Sequence, residues 1–253
     1  MQKTVYFSDF TDDLVESGQQ DIRLPEDYVF VRRGFWNSTL DRIVLWLLRL
    51  VGFFYLRCGL CVHFHGRGKL WAYRHRGYFL YANHTQAVGD PFIAALAPLG
   101  ARPYAIVSTA NYGIPVLGVL MPWVGALPVL PTREGMSRLS AAVHEHNRCG
   151  HPVVIYPEAH VWDYYTGIRP FGAASFCYPV DLQAPSFAMT TVYIKQRRNR
   201  PRIDVYIDGP FWPEEGLPPR ERRQRLCETI RHALENRAAQ SNCEYIRYEK
   251  RNV

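Results

Sequence analysis

The sequence predicts a single α/β domain, a mixed central sheet flanked by helices, with an N-terminal amphipathic helix facing a membrane. Three observations carry this. Short runs of apolar, β-branched and aromatic residues alternate with stretches of helical period. The 253 residues are enough for one large core, and no linker, repeat or low-complexity segment divides them. Near the start, Leu40–Arg57 is apolar around most of a helical wheel and carries its arginines on one side.

The elements follow in chain order. Residues 1–37 are read as an acidic tail, because residues 1–27 hold two cations against seven acids. The remainder is basic and brings the chain to a formal +7, which favours anionic partners such as phospholipid headgroups, phosphorylated substrates or nucleic acid. The tail lacks the basic-then-apolar order of a secretory signal, and six cysteines are too sparse for a disulfide scaffold. A reducing, cytoplasmic setting is therefore expected. Residues 38–66 are read as a membrane-associating helical segment. At about 100° per residue, Arg42, Arg49 and Arg57 fall within about 80° of one another, which suits a helix lying in the membrane interface. A true span would bury Arg49 near mid-bilayer at a cost of about 2.5–3.5 kcal/mol. A helix packed on the protein's own core is the alternative. Arg67, Lys69, Arg74 and Arg76 then surround Trp71 and Tyr73, a mixture that suits a headgroup zone.

Residues 67–253 are read as the α/β domain. Strands are predicted at Tyr78–Ala82, Tyr104–Ser108, Ala126–Leu130, Pro152–Tyr156, Phe187–Ile194 and Ile203–Ile207. A helix over Gly135–Arg148 has Met136, Leu139, Ala142, Val143 and His146 at helical spacing and Gly150 as its stop. A second helix opens at Pro218-Pro219 and presents Leu226, Ile230, Ala233 and Leu234 on one face.

The first predicted strand runs into Asn83-His84-Thr85-Gln86-Ala87-Val88-Gly89-Asp90-Pro91. A histidine released at a strand end, with a carboxylate to fix its tautomer and stabilise its imidazolium, suits general-base catalysis near neutral pH. No G-x-S-x-G nucleophile elbow is present, so the attacking hydroxyl is assigned to the substrate. Two plainer readings stand beside this one: His84 as a hydrogen-bonded core histidine, and Asp90-Pro91 as an N-cap followed by proline at the first helical position.

Further on come Tyr156-Pro157-Glu158-Ala159-His160 after an apolar strand, then Arg169-Pro170-Phe171. Over residues 38–210 this order resembles the glycerolipid acyltransferase superfamily, in particular the bacterial 1-acyl-glycerol-3-phosphate acyltransferases. Asn83-His84 to Asp90 is similar to that family's N-H-x4-D motif, with five intervening residues in place of four, so Gly89 is expected to bulge. Gly125–Val129 through Arg133 resembles its second motif with two extra residues. Tyr156-Pro157-Glu158 resembles F-P-E-G-T-R, with Ala159-His160-Val161 in place of Gly-Thr-Arg. Pro185–Met189 sits where the fourth motif falls. The resemblance implies transfer of a fatty acyl group from acyl-CoA or acyl carrier protein to the hydroxyl of a lysophospholipid, as in phospholipid biosynthesis. His84 would be the base, Asp90 its orienter, and Glu158, Arg169, Arg133 and His160 would bind the acceptor. The plainer readings are that Glu158 caps a helix or pairs with a structural arginine, and that Arg169 solvates a loop. The donor is a substrate, so no cofactor or metal is expected. The enzyme would lie on the cytoplasmic face of the membrane, peripheral or monotopic, against an anionic lipid surface.

The remaining clusters carry less. Cys58-x-x-Cys61 followed by His63 and His65 lacks a second paired ligand set for zinc and reads as small buried thiols. His144 and His146 face different directions on a helix. Lys195, Arg197, Arg198, Arg200 and Arg202 read as a solvated turn or as a contact for anionic lipid or an acidic carrier protein. A thioesterase or lipid hydrolase using the same His-Asp pair is the near alternative. A nucleic-acid module is the distant one, because no known nucleic-acid-binding signature is present.

Overall fold

The computed structural model describes residues 3–14, 22, 24–25, 27–115, 117–197 and 200–251. Seven strands form a mixed sheet in the order β2 (Val62–His65), β8 (Arg202–Phe211), β7 (Ser186–Ile194), β3 (Phe79–Ala82), β6 (Val153–Ile155), β4 (Tyr104–Ser108), β5 (Ala126–Val129). Strands β7, β3, β6, β4 and β5 run parallel to one another, while β8 runs antiparallel to β7 and β2 follows the direction of β8. Five strands therefore end, and two begin, along one edge of the sheet. In open α/β sheets that carboxyl edge is where loops form sites.

The central strand shows why the sheet is covered on both faces. Phe79 and Tyr81 of β3 point into a core with Leu139, Ala142 and Val143 of α5 (Arg133–Arg148) and Leu226, Ile230 and Leu234 of α7 (Pro219–Ala238). Leu80 and Ala82 alternate to the other face. There they meet Leu56, Leu70 of α2 (Arg67–Trp71), and Ile93 and Ala94 of α3 (Gly89–Leu96). A strand buried on both faces has no polar side to alternate with, which is why its sequence is continuously apolar.

Most predicted elements lie within a residue or two of their observed bounds. The second predicted helix starts at Pro219, and α5 starts two residues before Gly135. There Thr132 Oγ1 accepts from Gly135 N–H at 3.0 Å as an N-cap. The last predicted strand is longer and runs to Phe211. Three strands escaped the sequence reading. β2 reads Val-His-Phe-His and owes its place to pairing with β8 at the sheet edge. β1 (Lys3–Phe7) lies in the acidic tail and pairs in parallel with β9 (Ile246–Lys250), so the two ends of the chain make a small sheet of their own.

The N-terminal helix α1 spans Phe35–Phe54 and passes into a π-helical turn, Tyr55–Gly59. Of the three arginines expected on one outward face, Arg42 and Arg57 are exposed, but Arg49 does not join them. Arg49 turns inward and donates to the carbonyls of Ala95 (2.9 Å), Pro98 (3.3 Å) and Ala101 (2.6 Å). Arg67 donates to the carbonyls of Leu96 and Ala97. Two guanidiniums thus satisfy the carbonyls at the end of α3, where the helix dipole is negative. Of the other cations read as a headgroup zone, Lys69 binds Ile207 O (2.9 Å) and Asp208 (3.4 Å), and Arg74 lies over Trp71. Asp41, buried on the inner side of α1, pairs with Arg102 at 2.7 Å. The outer side of α1 is apolar and exposed: Trp36, Leu40, Ile43, Leu47, Leu50 and Phe54 recur at helical spacing, flanked by Trp46 and Phe53. Among the described residues no helix is long and apolar enough to cross a membrane.

Candidate active site

Strand β3 delivers its last residues to the carboxyl edge beside β7. Asn83 continues the ladder with its side chain, donating from Nδ2 to Thr191 O (3.1 Å) and accepting Thr191 N–H at Oδ1 (2.8 Å). His84 follows, partly open to solvent. The chain turns at Ala87-Val88 and enters α3, whose first turn carries Asp90. His84 Nδ1 lies 2.7 Å from Asp90 Oδ2. The same oxygen accepts the backbone N–H groups of Thr85 and Gln86, each at 3.0 Å. An oxygen already receiving two N–H bonds is an acceptor for the third, so His84 Nδ1 carries the proton. In the neutral ring Nε2 is then the basic nitrogen.

Two sequence readings change here. Asp90 is not an N-cap: Val88 holds that position without a side-chain bond, and the Asp90 carboxylate closes the loop that carries His84. Gly89 does not bulge; it is the first residue of α3, and an added Cβ would lie 3.0 Å from Gln86 Cβ and 3.2 Å from Leu60 Cδ1. The fifth intervening residue is absorbed by the turn into the helix.

The loop is held on all sides. Tyr156 stacks on the His84 ring with centroids 4.4 Å apart and donates its hydroxyl to Asp90 O at 3.0 Å. Tyr193 donates to Thr85 O at 3.0 Å and takes a bond from Gln86 Nε2 at 3.0 Å. Trp162 and Tyr164 donate their backbone N–H groups to His84 O (3.0 Å) and Thr85 O (2.8 Å), and Asp163 accepts Ala87 N–H at 2.9 Å. Burial pushes the Asp90 carboxyl above its ordinary range; His84 and the N–H groups of Gln86 and Thr85 oppose that rise.

Glu158 sits in the turn after β6 with its side chain wholly buried. It accepts His84 N–H (3.4 Å) and Arg169 N–H (3.3 Å) and pairs with Arg169 Nη2 at 3.2 Å. Burial raises the Glu158 carboxyl and the Arg169 charge opposes this. Glu158 thus ties the backbone of His84 to Arg169. Arg169, expected to grip a phosphate, is also fully buried. Besides Glu158 it binds the carbonyls of His160 and Phe10 (the latter at 3.2 Å) and lies over the Trp162 ring at 4.9 Å. Its side chain has no exposed surface, so in this structure it faces protein and not the open edge of the sheet.

His160 lies beside Asp13 of the N-terminal segment, Nδ1 to Oδ2 3.4 Å, and its carbonyl serves Arg169. Arg133 is exposed at the start of α5, beyond β5. Three strand spacings separate β5 from β3, roughly 14 Å, so Arg133 shares the edge with His84 without joining the pair. Tyr193, Trp162 and Asp163 were not legible as site residues; each comes from a segment whose sequence reads only as strand or loop. Tyr156 lay inside the quoted motif and Asn83 beside His84, and their positions were the available signal. Among the described residues no group of three or more His, Cys, Asp or Glu is placed to hold a metal ion. Cys58 and Cys61 are free thiols, and contrary to the reading as buried groups Cys58 is exposed and Cys61 half-buried.

The fold is similar to that of a lipid acyltransferase. The crystal structure of the 1-acyl-sn-glycerophosphate (LPA) acyltransferase PlsC from Thermotoga maritima matches with a TM-score of 0.60 at 16% identity, covering 85% of this chain and 87% of that one. No protein-family model matches the sequence, and a search of curated proteins finds no significant match. The structural likeness establishes a PlsC-like fold, a single α/β domain around a mixed sheet.

Proposed function

We propose that this chain is an O-acyltransferase that moves a fatty acyl group from a thioester, acyl-CoA or acyl carrier protein, to the hydroxyl of a lysophospholipid such as 1-acyl-glycerol-3-phosphate. The observation that carries the reading is the His84–Asp90 pair, its tautomer set by the two backbone N–H groups that share Asp90 Oδ2. The PlsC-like fold supports it.

In this reading His84 Nε2 removes the proton of the acceptor hydroxyl as its oxygen attacks the thioester carbonyl. The imidazolium so formed donates Nδ1–H to Asp90 and is stabilised by that carboxylate. Collapse of the tetrahedral intermediate breaks the C–S bond, and the thiolate takes the proton back from Nε2. Asp90, Glu158, Tyr156 and Tyr193 do no chemistry of their own; they hold the imidazole where the acceptor meets it. The exposed apolar side of α1 supports peripheral attachment to a membrane, where a lysophospholipid acceptor resides; the soluble thioester donor places the reaction on the cytoplasmic face in this reading.

The test is a mass-resolved assay of the purified protein with acyl-CoA or acyl carrier protein and a panel of lysolipids. Diacylated product that depends on His84 is the expected result. Thioester cleavage that ignores added lysolipid would make the protein a hydrolase and refute the proposal.

A further inference from the structure

If acyl transfer is the activity, a phosphate-bearing substrate needs a cation outside the buried Glu158–Arg169 pair. The carboxyl edge supplies one cluster. β7 continues five residues past Met189, the partner of Ala82, and so stands roughly 16 Å above the end of β3. The turn it carries into β8 holds Lys195, Arg197, Arg200 and Arg202 and no acid; Arg198 lies outside the described residues. Arg202 is engaged by Asp204 at 2.8 Å. Lys195, Arg197 and Arg200 are exposed, and among the described residues no carboxylate pairs with them.

Beneath this turn, against the chain that leads into β2, lies a cavity of about 190 Å³. Cys58, Leu60, Tyr164, Gln196, Arg200 and Ile203 line it. A cavity of about 150 Å³ admits a benzene, so a small phosphate ester fits the space. One layer of side chains separates it from the catalytic loop. The Tyr164 ring packs on Tyr193 (5.2 Å), whose hydroxyl holds Thr85, and Leu60 packs on Gly89 beside Asp90. The guanidinium of Arg200 offers a planar two-point grip and Gln196 a further polar group, while Leu60, Ile203 and the Tyr164 ring, whose hydroxyl is bonded to Gln86, wall the rest.

We propose that this cavity and the basic turn above it bind the phosphate group of a substrate, with Arg200 as the principal contact. Two substrates carry that chemistry: the phosphomonoester of an acceptor and the phosphates of a CoA donor. Cys58 on the cavity wall reports occupancy without any turnover. The full chain in neutral-lipid nanodiscs is alkylated with N-ethylmaleimide at constant ionic strength, and the rate at each cysteine is read by peptide mass spectrometry. Glycerol 3-phosphate, CoA and glycerol are added separately.

The expected result is at least a fivefold slowing at Cys58 by one of the two phosphate ligands and none by glycerol. Cys149, exposed at the far end of α5, is the unaffected control. Protection by glycerol 3-phosphate alone assigns the cavity to the acceptor, and protection by CoA alone assigns it to the donor. Arg200→Gln should abolish protection with an unchanged thermal midpoint, and Arg200→Lys should restore part of it. Absence of protection by both ligands, or full protection in Arg200→Gln, overturns the proposal. Protection in a protein that transfers no acyl group would leave the site standing and defeat the enzymatic reading. Lysolipid-dependent transfer without protection would do the reverse.

Discussion

Replacing Asp90 by Asn isolates the charge on the carboxylate from its geometry. Asp90 Oδ2 accepts from His84 Nδ1 and from Thr85 and Gln86 N–H at 2.7, 3.0 and 3.0 Å. An amide turned to present its nitrogen there would set donors against two fixed N–H groups. The Asn oxygen is therefore held toward the loop, and His84 keeps its Nδ1–H tautomer. In the serine-protease triad the corresponding change costs about 10⁴-fold because the tautomer is lost as well. Here only stabilisation of the imidazolium is lost, and kcat should fall about 10²- to 10³-fold, about 2.7–4 kcal/mol. The thermal midpoint should move little, since a neutral group no longer carries the burial cost that raises Asp90. Asp90→Ala strands three donors at about 1–3 kcal/mol each and should lower the midpoint by several degrees in addition. Initial rates of acyl transfer at saturating donor and acceptor, with calorimetry on each variant, make the comparison. His84→Ala should lose at least as much as Asp90→Asn, and the double variant little more than His84→Ala, because the two act as one unit. Transfer by Asp90→Asn at close to the parent rate would refute the assignment of Asp90 and, with it, the reasoning from the loop geometry.

Four further outcomes are expected. Glu158→Gln leaves the buried Arg169 charge without its counter-charge and should cost about 3–5 kcal/mol of stability. Arg169→Lys should lower the midpoint with the KM values for donor and acceptor unshifted relative to each other; a selective rise in acceptor KM, read from steady-state kinetics, would return Arg169 to a ligand-binding role. His146, stacked on Tyr104 at 3.6 Å, has its pKa pushed down to about 4 by burial. Between pH 6.5 and about 4 the unfolded chain binds the extra proton, so stability falls as pH drops through that window, by up to about 1.4 kcal/mol per pH unit. Urea unfolding at pH 7 and pH 5 measures this, and His146→Phe, which keeps the ring stack, should flatten the dependence. Trp46→Glu with Phe54→Glu, on the exposed side of α1, should release the folded protein from anionic vesicles in a flotation assay; retained binding would place the membrane contact elsewhere.

Local pattern alone determined the α/β class, the interior strands and the helices α5 and α7. Strands β3 and β6 are buried on both faces, so their apolar runs are continuous and need no knowledge of their neighbours to be read, and β7 reads as a strand from the apolar and β-branched residues around its buried threonines. The His84–Asp90 pair was legible for a related reason: both residues lie on one strand-to-helix connection, within reach of each other through local chain geometry. Tertiary structure decided the roles of the charged groups. Arg169 reads as a phosphate ligand by resemblance, whereas in the structure Glu158, the Trp162 ring and the Phe10 carbonyl, 159 residues away in sequence, close around it. Arg49 reads as part of an outward stripe until the carbonyls ending α3 take it inward. β1 and β9 acquire strand character from each other, at opposite ends of the chain. Periodicity encodes the face of its own element that a residue occupies. The partner of a buried charge or of an edge strand comes from distant chain, and its identity is set only when the elements pack.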